Sequence, residues 1–113
     1  MMDEIYIRAR LDGVRFALPA ADVRKILSEP AAVPVPDAPE GICGIVYDEG
    51  AVFPIRSLNP ARRDPARLVV LCARGAYAAD LVETMAPLDR AELASALPFR
   101  DAVLLLPDKE GTA

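Results

Sequence analysis

Apolar and polar residues alternate almost from the start of the chain. Ile5, Ile7 and Leu11 interleave with Tyr6, Arg8 and Arg10, and beyond Asp12-Gly13 the alternation resumes with Val14, Phe16 and Leu18 against Arg15 and Ala17. A period of two puts successive side chains on opposite faces of a strand, and Asp-Gly between two such runs suits a two-residue turn whose central residues both need positive φ. This predicts a hairpin over residues 4–19. A second pair of apolar runs, 42–47 and 51–55, flanks Asp48-Glu49-Gly50 and predicts a central hairpin with a charged tip, turned at the residue that takes positive φ without steric cost. Gly41 and Gly44 mark bends or close backbone approaches, and Pro54, lacking an N–H, suits an edge strand or a strand end. Residues 68–73 are continuously apolar, as in a strand buried on both faces. A turn at Arg74-Gly75 then leads into an alternating strand over 76–82, which makes a third hairpin.

The connections are of other kinds. Val23, Ile26 and Leu27 are spaced by three and four, which predicts one or two turns of helix within 20–27, with a bent strand as the alternative. Pro30 stops any continuation. Residues 28–40 carry four prolines, Pro30, Pro34, Pro36 and Pro39, and read as an extended crossover. Residues 59–67 read as a short loop with room for a turn of helix. Asp89 stands where an N-cap should, ahead of Leu93 and Leu97 one helical turn apart, and Pro98 ends that helix. Residues 102–106 read as a last strand, and 107–113 as a polar, disordered tail. Six or seven short strands with closely spaced turns and two short helices predict a mostly β fold, one barrel or a pair of small barrels.

Length and charge narrow the function classes. With 113 residues and 53% hydrophobic content the chain reads as one domain with a real core. A net charge of -4 and no basic cluster beyond Arg62-Arg63 argue against nucleic acid as a partner. The apolar runs fall short of the roughly 20 residues that span a bilayer, and the N-terminus lacks a basic region ahead of an apolar one, so a cytoplasmic protein without membrane insertion is expected. The absence of histidine removes Ser-His and Cys-His nucleophilic pairs and the usual zinc sites. Cys43 and Cys72, each inside an apolar run, read as small buried hydrophobes. Asp48 and Glu49 are neighbours whose side chains diverge, so a solvated turn fits better than an acid/base pair. The glycines lack phosphate-loop spacing, and Asp80, Glu83 and Asp89 read as solvated strand ends rather than a metal cluster. No catalytic residue, metal or cofactor is expected. Tyr47 and Phe53 are evenly balanced between core and contact roles.

The segments FALPAADVRKI and VPDAPEGICGIVYDEGAVFPIRSL resemble the CheW-like family, the coupling proteins of bacterial chemosensory arrays. Val35, Pro36, Ala38, Pro39, Gly44, Gly50, Pro54 and Leu58 fall at that family's spacing without a gap, and RLVVLCARGAYAADLVETMAPLD is similar to its second half. The resemblance implies two small SH3-like β-barrel subdomains, the second short enough to be trimmed, within a single domain over 1–106 whose halves are roughly 14–66 and 67–106 plus the N-terminal strand. It also implies a non-enzymatic adaptor that binds a CheA-type histidine kinase, a chemoreceptor tip or other CheW-like domains, with homo-oligomerisation left open. Where the family commonly carries asparagine and arginine at its hairpin tip this chain has Tyr47 and Glu49; Ser57 replaces an aspartate and Lys25 a glutamate. Lys25 and Glu49 are accordingly expected to form the family's ion pair with its polarity reversed. The expected contact set is Lys25, Ile45, Tyr47, Asp48, Glu49, Gly50, Val52 and Phe53. The alternatives are a small-molecule-binding β-barrel or a divergent accessory module that does not couple receptors.

Overall fold

The computed structural model describes residues 4–73, 75–95, 97–99 and 102–105; the expected tail at 107–113 lies outside them. In chain order the strands are β1 (Ile5–Leu11), β2 (Val14–Pro19), β3 (Val23–Ser28), β4 (Ala32–Val33), β5 (Ile42–Asp48), β6 (Ala51–Arg56), β7 (Leu68–Cys72), β8 (Gly75–Ala79), β9 (Leu81–Pro87), β10 (Leu97–Phe99) and β11 (Ala102–Leu105), with helix α1 (Arg90–Ser95) before β10. They form a five-stranded sheet in the order β10-β11-β2-β1-β9 and a six-stranded sheet in the order β3-β7-β8-β6-β5-β4. One of the two curls into a half-barrel, and the mostly β fold class is the one expected.

The three expected hairpins are present, and local chemistry explains the first two. Leu11 pairs with Val14 around Asp12 and Gly13 at φ 50° and 82°, and Asp48 pairs with Ala51 around Glu49 and Gly50 at φ 47° and 84°. Both loops have two left-handed central residues, whose twist matches that of the flanking strands. The third hairpin joins β7 to β8, with Cys72 opposite Gly75.

Five expectations are corrected. The helix over 20–27 shrinks to a 3₁₀ turn at Ala20–Asp22, and the chain continues as β3 along the edge of β7. Val23 and Leu27 pack on the core and Lys25 is partly covered, while Arg24, Ile26 and Ser28 are exposed, so the three- and four-residue spacing does not mark one buried stripe. The single strand expected over 76–82 is two strands in different sheets. It breaks at Asp80, whose N–H donates to the Arg10 carbonyl at 2.7 Å and whose carboxylate accepts from the Asp12 N–H at 2.8 Å. Residues 59–67 contain a turn but no helix. Pro54 is neither on an edge strand nor at a strand end, since β6 lies between β8 and β5; parallel pairing to β8 begins only at Ile55, so that side carries no ladder bond at Pro54. Helix α1 itself ends at Ser95, and Pro98 lies in β10.

The two sheets share one core. Leu11, Phe16 and Leu18 of the first sheet pack with Val46, Ile55, Val69, Val70 and Tyr77 of the second, and the rings of Phe16 and Tyr77 lie 6.3 Å apart. Every residue of β8 is buried. Cys43 and Cys72 are both buried, as expected. Burial pushes the Cys43 thiol above its ordinary pKa.

Helix α1 is held by two devices. Asp89 Oδ1 accepts from the Glu92 N–H at 2.8 Å and the Asp89 N–H donates to Glu92 Oε1 at 2.9 Å, a reciprocal capping box. Glu92 also accepts from Arg8 Nη2 at 2.7 Å and pairs with Arg15. The Arg8 hydrogen bond, with help from the Asp89 N–H, holds the Glu92 carboxyl down at about 2.

Two outcomes follow. A Cβ at position 44 would stand 2.6 Å from the Val33 carbonyl oxygen and 2.8 Å from Pro65 Cγ, so Gly44→Ala should lower unfolding stability by about 1–3 kcal/mol in urea titrations. Because the Glu92 carboxyl is depressed in the folded protein, its contribution is present above the ordinary carboxylate pKa and lost as pH falls towards 2. Glu92→Gln should therefore melt below wild type at neutral pH, with the gap closing under acid, in thermal melts followed by circular dichroism.

Candidate functional site

The β5–β6 hairpin carries most of the expected contact residues, and its pleat sorts them. Val46 is fully buried opposite Phe53, which is half-buried and packs on the core. The intervening residues face outward. Tyr47 is 59% exposed and its cross-strand partner Val52 58%; Ile45 lies between Val33 on β4, 54% exposed, and Pro54 on β6. Residues directly opposite one another, and residues two apart on one strand, share a face. Val33, Ile45, Tyr47, Val52 and Pro54 thus form one apolar outer surface. The even balance between core and contact is resolved by this pleat, with Tyr47 outside and Phe53 inside.

The charged members meet at the tip. Lys25 Nζ donates to Asp48 Oδ2 at 2.9 Å and to Glu49 Oε2, so the expected Lys25–Glu49 pair exists and includes Asp48 as well. Lys25 sits on β3, at one end of the six-stranded order, and Asp48 on β5, next to the other end. The bridge therefore spans the mouth of the curled sheet by side chains alone. Hydrogen bonds to Glu49 first and Asp48 second push the Lys25 ammonium above its ordinary pKa. Gly50 completes the turn between them.

Val33 and Pro54 were not in the expected set. Pro54 could have been found from the same-face rule, being two residues from Val52; Val33 could not, because its pairing to Ile45 crosses a proline-rich loop. Ser57 is buried, where its hydroxyl donates to the Asn59 carbonyl at 2.7 Å and accepts from the Asn59 N–H at 3.0 Å, closing a turn below the hairpin. Asn59 and Arg62 in turn donate to the Asp12 carboxylate at 2.8 and 2.7 Å. Those bonds, Asn59's foremost, hold the Asp12 carboxyl below its ordinary pKa. The hairpin is thus anchored to the first sheet through the loop that follows it.

An open cleft of about 640 Å³ lies beside this region, between Pro34, Val35, Pro36, Asp37 and Ala38 on one wall and Arg63 and Asp64 on the other. Its lining is as much polar as apolar, unlike the enclosed, mainly apolar cavities that hold small molecules. Among the described residues, no three Cys, Asp or Glu side chains converge as metal ligands, and no helix is long and apolar enough to cross a membrane.

A family model described as CheW-like domain matches residues 6–86. Among solved structures, the chain is similar to the scaffolding protein TtCheW from Thermoanaerobacter tengcongensis, with a TM-score of 0.63 and 19% identity over 80% of this chain and 69% of that one. The curated protein sequences contain no match.

The Lys25 ammonium is open to water, which screens its two ion pairs. Lys25→Met should accordingly leave the urea unfolding midpoint nearly unchanged, which would separate the bridge from the forces that hold the fold.

Proposed function

Because the chain belongs to the CheW-like domain family, a family of chemotaxis coupling proteins, we propose that it is a non-enzymatic, cytoplasmic scaffold that docks a CheA-type histidine kinase on the outer face of its β5–β6 hairpin. The observation that supports this most is the apolar surface of Val33, Ile45, Tyr47, Val52 and Pro54. A soluble domain that turns a tyrosine, two valines and an isoleucine to one side of a sheet leaves apolar area in water that a partner would cover, and aromatic residues are enriched at the centres of such contacts. Lys25, Asp48, Glu49 and Gly50 form the rim of this surface, and Phe53 supports it from beneath. A chemoreceptor tip, another CheW-like domain or a second copy of this chain is a further candidate for the same face.

The test is calorimetric titration of the protein with the regulatory domain of a CheA-type kinase from the same genome. Wild type is expected to bind, and the double variant Tyr47→Ala, Val52→Ala to bind about tenfold or more weakly, the scale of losing a central anchor, with an unchanged circular dichroism spectrum. A double variant that binds as well as wild type would remove this face from the contact.

A further inference from the structure

We propose that the hairpin tip selects its partner by charge: the docking protein lays an apolar strip on Ile45, Tyr47 and Val52 and sets a lysine or arginine against Glu49. This rests on the reading of the outer face as the docking surface, and adds the chemistry of what docks there.

Three features of the tip carry it. First, Lys25 meets two carboxylates, so the rim keeps a surplus negative charge immediately beside the apolar surface. Second, the two acids are not equivalent. The Asp48 side chain is only 17% exposed and lies 2.9 Å from Lys25 Nζ, whereas the Glu49 side chain is 75% exposed. A carboxylate offers about four acceptor positions, and one contact with Lys25 leaves Glu49 able to take a second cation from outside. Third, Glu49 holds φ at 47°, a left-handed conformation that disfavours residues with a Cβ and that glycine, asparagine or aspartate fills more readily in such turns. Its long side chain reaches out to the rim instead of bonding back to its own turn. A costly conformation that presents a charged group beside an interaction surface is a pattern of binding sites.

A partner that set an acidic residue here would face two carboxylates, and a neutral one would strip water from Glu49 while Lys25 remains its one counter-charge, shared with Asp48. A basic residue meets neither penalty. Lys25 fixes where it must sit, because the side of Glu49 toward the barrel mouth is already occupied.

The experiment titrates the CheA-type regulatory domain into wild type, Glu49→Gln, Glu49→Lys and the Tyr47→Ala, Val52→Ala variant, at low and at physiological salt. The expected result is a roughly tenfold loss for Glu49→Gln with a flatter salt dependence, and a larger loss for Glu49→Lys. Reversing the facing lysine or arginine of the kinase domain to glutamate should restore binding to Glu49→Lys. If Glu49→Gln matches wild type in affinity and salt dependence while the Tyr47, Val52 variant loses binding, charge selection is overturned and the docking face stands. If the Tyr47, Val52 variant also matches wild type, or if wild type itself does not bind, the docking reading is overturned and this proposal with it.

Discussion

Strand β8 is the constraint on which the rest of the molecule depends. It pairs antiparallel with β7 along its whole length and parallel with the end of β6, and all five of its residues are buried. Four of the five are glycine or alanine. Small side chains let the first sheet close down on the second, so that Phe16 and Leu18 reach the same core as Val69 and Val70, and Tyr77 supplies the one large group that fills the space between them. In close-packed interiors an added methylene is felt, and β8 has no solvent-facing side on which to absorb one.

What β8 secures, the tips then use. At its end the chain turns at Asp80 and enters the other sheet, pinned by Arg10 and Asp12. Asp12 also receives Asn59 and Arg62 from the loop beyond β6. Through that shared carboxylate the first hairpin, the sheet crossing and the base of the central hairpin are tied together. The β5–β6 hairpin is therefore tied down at its root, while its tip is held to β3 by Lys25 alone among these contacts. A rigid root with an exposed apolar face and a charged rim is the arrangement expected of a scaffold, whose work is to hold a surface in place rather than to transform a substrate.

Much of this was legible along the chain, and the reasons differ by element. The Asp12-Gly13 and Glu49-Gly50 turns are decided by residues in contact with one another, so alternation and turn chemistry suffice. The cap at Asp89 is equally local, and Glu92, three residues on, completes its box. The stretch over 20–27 misled because Val23, Ile26 and Leu27 fit a helical spacing; the free edge of β7 chose the strand, and no local pattern announces an edge. The run over 76–82 hid a change of sheet, since alternation continues through Asp80 and only the tertiary partners break it. The Lys25–Glu49 pair was reached by resemblance to a family, not from spacing, because its members are far apart in sequence.

By itself, then, the amino-acid sequence determined the hairpins, the helix cap at Asp89, the buried cysteines and the β character of the domain, all of which depend on side-chain period and on local chemistry at a few turn and cap residues. Tertiary structure decided which strands became neighbours, where the chain crossed between sheets, and that Tyr47 faces water while Phe53 faces the core. Those outcomes depend on burial and on backbone pairing between distant segments, which take effect only once the two sheets have met around β8.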